Sequence, residues 1–189
     1  MKLYFVTANK EKFREVKDIL QGFEVEQLDI DLPELQGEPD EIAKEKARLA
    51  CDKIGKTGKT GEAVFVEDTS LCFNALNGLP GPYVKDFIRK IGIAGLYELA
   101  KRCDDKSAVA IASIGFCKPG KEPLVFQGKV KGIIVSPRGD TRFQWDQIFM
   151  PDSYDKTFSE MSVEEKNKIS HRKLAFEELR KWLEHNKYK

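Results

Sequence analysis

The chain has 189 residues, 41% of them apolar and 33% charged, with 32 basic residues against 31 acidic ones. This length predicts one domain, residues 1–189, and 12 Phe, 5 Tyr and 2 Trp argue against disorder. A formal net charge of +1 argues against a general nucleic-acid coat and a polybasic membrane anchor, because both need a large excess of positive charge.

Neither a targeting signal nor a membrane span is predicted. The N-terminal sequence MKLYFVTANKEK turns charged after a few apolar positions, unlike a signal peptide. The least polar stretch, residues 108–116, is well short of the ~20 residues of a membrane-spanning helix. The cysteines, Cys51, Cys72, Cys103 and Cys117, form no C-x-x-C pair, which disfavours a zinc site and a disulfide framework. We therefore expect a cytoplasmic protein with reduced thiols.

The first half of the chain alternates strand and helix patterns. Residues 2–7 (KLYFVT) predict a strand, and the apolar spacing after it predicts a helix capped by Asn9. A second strand is expected at residues 24–30, followed by a second helix capped by Asp40. The inner face of this helix is a stripe of small side chains: Ala43, Ala47, Ala50 and Ile54. Such a stripe predicts close packing against a sheet or another helix.

Residues 55–61 (GKTGKTG) resemble the end of a phosphate-binding loop, but that loop follows a strand and opens a helix. Here a helix precedes the segment and a strand follows it, so we expect a surface turn. The strand, residues 63–66, is predicted to end at Glu67-Asp68-Thr69.

The second half begins with a Gly/Pro-rich loop at residues 77–83 (NGLPGPY). Two helical segments, 85–90 and 94–102, follow it. Residues 108–117 and 124–135 then predict two long strands in an antiparallel hairpin.

The C-terminal part predicts a loop or strand at residues 143–150, followed by two helices. A capping box at Ser162-x-x-Glu165 starts the first helix, and Ser170 is placed to cap the second. The inner face of the last helix is formed by Phe176, Leu179 and Leu183. The whole order predicts an α/β fold with a long mixed sheet, whose flanking helices form two lobes around a ligand cleft.

Three groups of residues are suited to chemistry. The first is the strand–helix turn at residues 7–12 (TANKEK), where a helix N-terminus favours a bound anion. Lys10 and Lys12 oppose the helix dipole there, and a bound phosphate would reverse that penalty. A capped surface helix with solvated lysines explains the same pattern.

The second group consists of carboxylates: Glu67 and Asp68 after a buried strand, with Glu34 and Glu38 in a Pro/Gly-flanked loop. Oxygen ligands of this kind suit Mg²⁺, and one carboxylate could take a proton from an attacking water. A charged strand end at the surface is the alternative interpretation.

The third group lies in the C-terminal third, where two aromatic residues adjoin an aspartate and a cluster of cations. This arrangement would stack a base and bond its edge, although core aromatics beside a solvated helix start would look similar. The group comprises Arg142, Phe143, Trp145, Asp146, Lys166, Asn167, His171 and Arg172.

Together these segments resemble the inosine triphosphate pyrophosphatase family, α/β hydrolases of non-standard purine nucleoside triphosphates. The resemblance covers nearly the whole chain and is greatest for eukaryotic-type members, in the stretch LCFNALNGLPGPY. It lies in five segments in the family's order: FVTANKEK (5–12), LPELQGEPDEIAKEKA (32–47), VEDTSLCFNALNGLPGPYVK (66–85), FQWDQIF (143–149) and EKNKISHR (165–172).

The resemblance implies a nucleotide-binding cleft with Mg²⁺, which Mn²⁺ could replace, held by Glu34 and Asp68. Asp68 would also activate water, with Glu67 and Lys12 as further catalytic residues. The implied substrate contacts are Thr7, Asn9, Lys12, Lys46, Lys85 and Lys166 toward phosphate or ribose, Thr69 as a further contact, and Phe143, Gln144, Trp145, Asp146, His171 and Arg172 toward the base. Many members carry Gly at the position of Gln144 and Pro at that of Gln147, so the base loop is expected to differ in conformation.

The implied reaction hydrolyses inosine and xanthosine triphosphates and their deoxy forms to the monophosphate and pyrophosphate. The resemblance also implies a homodimer, with the NGLPGPYV loop as a candidate contact, and neither nucleic acid nor membrane as a partner. A nucleotide-binding module without turnover and a nucleic-acid-binding protein remain as alternatives. The complete set of carboxylates favours an enzyme over the first, and the balanced charge disfavours the second.

Overall fold

The fold is a mixed β-sheet with flanking helices, seen in a computed structural model that describes residues 2–55, 61–139 and 144–186. The strands are β1 (Lys2–Val6), β2 (Glu24–Leu28), β3 (Ala63–Phe73), β4 (Pro80–Gly81), β5 (Ser107–Cys117), β6 (Leu124–Ile134) and β7 (Phe149–Pro151). The α-helices are α1 (Lys10–Ile19), α2 (Pro39–Gly55), α3 (Val84–Lys101), α4 (Val163–Ile169) and α5 (His171–His185). Two short 3-10 helices span Asn74–Leu76 and Gln144–Gln147.

The described strands form one seven-stranded sheet in the order β2-β1-β3-β5-β6-β7, with β4 paired to β3. Strand β1 runs parallel to β2 and β3, whereas the β3–β4 and β6–β7 pairs are antiparallel. The predicted α/β class with a mixed sheet is confirmed.

The contacts divide the chain into two compact units. Unit 1 takes the described residues of Met1–Asp68, Ala112–Gly128 and Arg172–Lys189, and unit 2 takes Thr69–Ile111 and Lys129–His171. Strands β3, β5 and β6 each contribute residues to both units.

In unit 1 the sheet is covered on both faces, because successive side chains of a strand point to opposite sides. Phe5 and Phe65 stack at a centroid distance of 4.8 Å on the face covered by α1 and α5. Val64 and Val66 lie on the opposite face, against α2. Helices α1 and α2 lie on opposite faces of the sheet. Because β1 lies between β2 and β3, the connection from β1 to β2 through α1 and the connection from β2 to β3 through α2 run in opposite directions along the sheet. Right-handed crossovers in opposite directions place their helices on opposite sides.

Helix α2 packs unusually close to the sheet, as the small-residue stripe predicts. Ala43, Ala47 and Ala50 are fully buried, and Ile54 is 1% exposed. A Cβ built on Gly115 of β5 would stand 2.0 Å from the carbonyl oxygen of Ala43. Only glycine permits this approach, which holds the helix bearing Lys46 close to the sheet.

Substituting Gly115→Ala should therefore lower the free energy of unfolding by ~3 kcal/mol, because overpacking against backbone cannot be relieved by a rotamer change. Urea denaturation measures this loss. Gly55→Ala is the matched control, since its added Cβ meets nothing within 4 Å. A Gly115→Ala protein as stable as this control would show that α2 and the sheet can move apart at little cost in free energy.

Unit 2 has its own apolar core. Helix α3, strands β5 to β7 and the segment after β7 contribute to it, and its fully buried aromatic residues include Phe149 and Phe158. Helix α3 confirms the two predicted helical segments, since it is broken at Gly92 with φ 70° and ψ 176°.

Two predicted boundaries are wrong. Asp40 does not cap α2, because the helix already begins at Pro39, where a proline's missing N–H costs no hydrogen bond. Strand β3 does not end at Glu67-Asp68-Thr69 but continues to Phe73, where its later residues pair with β4. These polar residues thus lie inside the strand.

Other local predictions are confirmed. Asn9 caps α1 by accepting from the N–H of Lys12 at 3.0 Å, and Ser162 with Glu165 forms a complete capping box. Of the segment 55–61, residues 56–60 lie outside the described part. Within the described residues, no helix combines the length and apolar character needed to cross a membrane. All four cysteines are free thiols.

Candidate functional site

Two adjacent carboxylates inside β3 face opposite sides of the sheet. Glu67 continues the alternation of Phe65, toward the face that α1 and α5 cover, while Asp68 continues that of Val66, toward α2. Each therefore meets cations from different helices. Two clusters result, both within unit 1.

The cluster on Glu67 is a network of two carboxylates, Glu67 and Glu15, and two cationic side chains, Lys12 and Arg172. The Glu67 carboxylate accepts from Arg172 Nε at 3.0 Å and lies 3.0 Å from Lys12 Nζ. Arg172 also donates to Glu15 at 2.7 Å. The side chain of Glu67 is 0% exposed and that of Arg172 is 4% exposed, so each charge depends on its partners. The two positive charges balance the two negative ones.

Burial by itself would lower the pKa of the Arg172 guanidinium. The charges and hydrogen bonds of Glu67 and Glu15 outweigh this effect, and the pKa of Arg172 is raised. The guanidinium thus bridges α5, β3 and α1 as a permanent cation.

The cluster on Asp68 joins two carboxylates to the ammonium of Lys46. Lys46 Nζ donates to Glu34 Oε2 at 2.9 Å and to Asp68 Oδ1 at 3.0 Å, so two carboxylates share one ammonium. Burial lowers the pKa of Lys46, but the charges and hydrogen bonds of Asp68 and Glu34 more than compensate and raise it. Asp68 Oδ2 is buried and accepts no hydrogen bond from the described residues.

This second cluster is suited to a cation. Asp68 contributes a buried oxygen without a hydrogen bond from the described residues, and an ammonium already contacts both carboxylates. In the described ranges, no three His, Cys, Asp or Glu side chains converge as a metal-binding group. Two carboxylates suffice for Mg²⁺, which keeps several waters and takes substrate phosphates as further ligands.

Helix α1 begins just after the carboxyl end of β1. Strand β1 lies between β2 and β3, and the direction of the chain connections along the sheet reverses there. Ligands of open α/β sheets bind at such a point. Here Thr7 Oγ1 accepts from the N–H of Asn9 at 3.1 Å, and Asn9 in turn caps the helix. Both predicted contacts thus shape this turn, and Lys12 points to Glu67.

The aromatic group lies in unit 2. The rings of Trp145 and His171 have centroids 5.3 Å apart, and Phe158 stacks on His171 at 5.9 Å. Asp146 and Lys166, both buried, form an ion pair beside them. The arrangement brings flat rings and a fixed pair of charges together within unit 2.

The remaining predicted residues are more dispersed. Thr69 is half-buried in β3, and Lys85 is exposed in the first turn of α3. Gln144 begins a 3-10 helix, while Phe143 lies outside the described residues. His171 and Arg172 are neighbours in sequence but fall into different units.

Two residues that take part in these clusters, Glu15 and Phe158, are absent from the predicted set. Glu15 lies one helical turn after Lys12, and this spacing could have indicated a shared face. Phe158 is separated from Trp145 by a strand and a turn, and no local pattern indicated their proximity.

Comparison with known proteins adds a family assignment to this geometry. The sequence profile of the Ham1 family matches residues 3–182. The chain is 47% identical to an inosine triphosphate pyrophosphatase from Aspergillus fumigatus, covering 97% of this chain and 95% of the relative. It is also 47% identical to an inosine triphosphate pyrophosphatase from Tuber melanosporum, covering 96% of each chain. A HAM1 protein structure from Coxiella burnetii matches with a TM-score of 0.85 and 27% identity, covering 98% of this chain and 99% of that one.

Proposed function

Because the chain belongs to the Ham1 family, we propose that it hydrolyses non-standard purine nucleoside triphosphates, foremost inosine triphosphate, to the monophosphate and pyrophosphate. Deoxyinosine and xanthosine triphosphates carry the same 6-keto group and belong to the same substrate class. The protein is a hydrolase of nucleotide metabolism.

The observation that supports this function most strongly is the geometry around Lys46. One ammonium lies within 3.0 Å of both Glu34 and Asp68, so a basic group and two acidic ones share a small volume. Hydrolysis between the α and β phosphorus atoms needs both kinds of group. The leaving pyrophosphate must be stabilised by cations, and the attacking water must lose a proton.

We assign the proton transfer to Asp68. Its Oδ2 is a buried acceptor with no hydrogen bond from the described residues, while Lys46 fixes the other oxygen. Such a carboxylate can orient a water and take its proton. The buried Glu67 network holds Lys12 near the start of α1, where the helix dipole also favours phosphate. Lys46, Lys85 and Lys166 are assigned to phosphate or ribose.

Base recognition is assigned to the residues that the sequence proposes for it. His171, Trp145 and the Asp146–Lys166 pair provide stacking surfaces and polar groups within unit 2. Phe143, Gln144, Arg172, Thr69, Thr7 and Asn9 complete the proposed set of contacts.

Glu34 and Asp68 would hold Mg²⁺, which supplies positive charge to the phosphate oxygens when it is bound. We expect activity to require Mg²⁺ or Mn²⁺ and to survive a zinc-selective chelator, because the candidate ligands are carboxylate oxygens. Initial rates at saturating Mg²⁺, with and without chelator, provide the measurement. Loss of activity with the chelator present would contradict this metal assignment.

The function itself is tested by mixing the purified protein with inosine triphosphate and Mg²⁺. Pyrophosphate and monophosphate should form in equal amounts, with orthophosphate appearing only after inorganic pyrophosphatase is added. ATP is the matched control and should react far more slowly. Binding of inosine triphosphate without pyrophosphate release would instead favour a nucleotide-binding module.

We further propose a cytoplasmic homodimer without nucleic-acid or membrane partners. The balanced charge of 32 basic and 31 acidic residues supports the absence of a nucleic-acid partner. Leu79, which is 50% exposed in the loop 77–83, supports that loop as the dimer contact. Light scattering measures the mass in solution.

A further inference from the structure

Lys46 occupies the space between the two carboxylates that are proposed to bind Mg²⁺. We propose that Lys46 is a competing internal cation: its ammonium holds Glu34 and Asp68 in the free protein, and a divalent cation gains these ligands only by displacing it. The inference rests on the proposed function, because it concerns the same pair of carboxylates. It assigns Lys46 a role in positioning and in metal affinity beyond its predicted phosphate contact.

The contacts of Lys46 are those of a bound cation. Its ammonium donates to Glu34 at 2.9 Å and to Asp68 at 3.0 Å, and its side chain is only 11% exposed. A divalent ion that binds through Glu34 Oε2 and Asp68 Oδ1 cannot share these two oxygens with the ammonium, because the two cations would repel each other at contact distance. Their binding there is therefore mutually exclusive.

The elements that carry the three side chains determine which of them can move. Asp68 lies within β3, and Lys46 lies on α2, which packs too close to Gly115 for even one added carbon. Displacement therefore occurs through the lysine side chain, whose four-carbon stem is flexible, and not through the helix. Glu34 has a 72% exposed side chain on the loop before α2 and can adjust to either cation.

A measurable consequence is weak metal binding by the protein without nucleotide. The two carboxylates can bind a divalent cation only in those molecules in which the Lys46 ammonium has left them. The apparent affinity of the protein for the cation is therefore reduced in proportion to the fraction of such molecules. Removing the lysine charge should therefore strengthen metal binding, although it removes a residue of the site. A lysine with a purely structural or phosphate-binding role would not produce this gain.

The test titrates Mn²⁺ alone into the nucleotide-free protein and follows free Mn²⁺ by electron paramagnetic resonance. Lys46→Met, which keeps the length and removes the charge, should bind Mn²⁺ about tenfold more tightly than wild type. Lys44→Met is the matched control, because it removes one charge from an exposed position of the same helix. Its affinity should stay within about twofold of wild type, since exposed charges are screened.

A second arm identifies the site. In the Lys46→Met background, Asp68→Asn should abolish the gain, because one carboxylate is lost. Lys46→Gln removes the charge but keeps a polar side chain, and this variant should also bind Mn²⁺ more tightly than wild type. If either folded variant binds Mn²⁺ no more tightly than wild type, the inference is overturned. Should both variants unfold, Mn²⁺ should restore their melting temperature, and failure to do so also overturns it.

The outcome is separate from that of the proposed function. Pyrophosphate release by a wild-type protein whose Lys46→Met variant gains no Mn²⁺ affinity overturns only the competition. A Mn²⁺ gain in a protein that releases no pyrophosphate supports the competition and overturns the proposed function.

Discussion

Replacing Asp68→Asn should lower the turnover of inosine triphosphate by ~10²-fold or more while leaving the fold intact, because a lost general base has effects of this size. Asparagine has the same shape and can still accept the hydrogen bond that Lys46 donates at 3.0 Å. It cannot take a proton from water. The measurement is kcat under saturating Mg²⁺ and nucleotide, with circular dichroism to confirm the fold.

Asp86→Asn is the matched control. Asp86 makes an exposed ion pair with Arg89 on α3, and its replacement should leave kcat unchanged. Turnover close to wild type in a correctly folded Asp68→Asn protein would remove Asp68 from the chemical step. A raised KM at unchanged kcat would instead restrict Asp68 to binding.

Arg172→Ala should destabilise the protein by at least ~3 kcal/mol, because removing one partner of a buried pair leaves an uncompensated charge. The Glu67 side chain is fully buried and would lose the guanidinium that lies 3.0 Å away, while Glu15 would lose the donor that lies 2.7 Å away. Urea denaturation gives the free energy of unfolding. Arg172→Lys should lie between wild type and Arg172→Ala, since one ammonium lacks the forked geometry that reaches two carboxylates.

Lys181→Ala provides the control on the same helix. Lys181 is 70% exposed and forms a surface ion pair with Glu178, so its loss should change stability by less than ~1 kcal/mol. Equal stability of the Arg172→Ala and Lys181→Ala proteins would mean that Glu67 finds another partner or becomes protonated.

The same Arg172→Ala protein tests base reading. Hypoxanthine presents a 6-keto acceptor where adenine presents an amino donor, and arginine can only donate. With Arg172 as a base contact, the Arg172→Ala change should narrow the ratio of kcat/KM for inosine triphosphate over ATP about fivefold or more. An unchanged ratio would show that Arg172 contacts Glu67 and Glu15 but takes no part in discriminating between the two bases.

Local signals in the sequence predicted much of the fold. The caps at Asn9 and Ser162 and the two helical segments of α3 depend on residues close together in the chain, so local patterns predict them. The stripe from Ala43 to Ile54 likewise predicts close packing against a sheet or another helix, and the structure shows that the partner is the sheet. The extension of β3 through Glu67 and Asp68 was missed because polar residues there are satisfied by distant cations.

The sequence by itself determined the α/β class, the carboxylates and lysines that we propose for the chemistry, and the segments that resemble the family. Only the tertiary structure decided how those charges are paired. The partners of Glu67 and Asp68 come from residues up to 105 positions away, and strand alternation sends the two neighbours to different helices. Pairing over such separations depends on strand order and helix packing, to which no local pattern is sensitive. For this reason the sequence predicts Arg172 as a base contact beside His171 but does not predict the contacts of its guanidinium with Glu67 and Glu15.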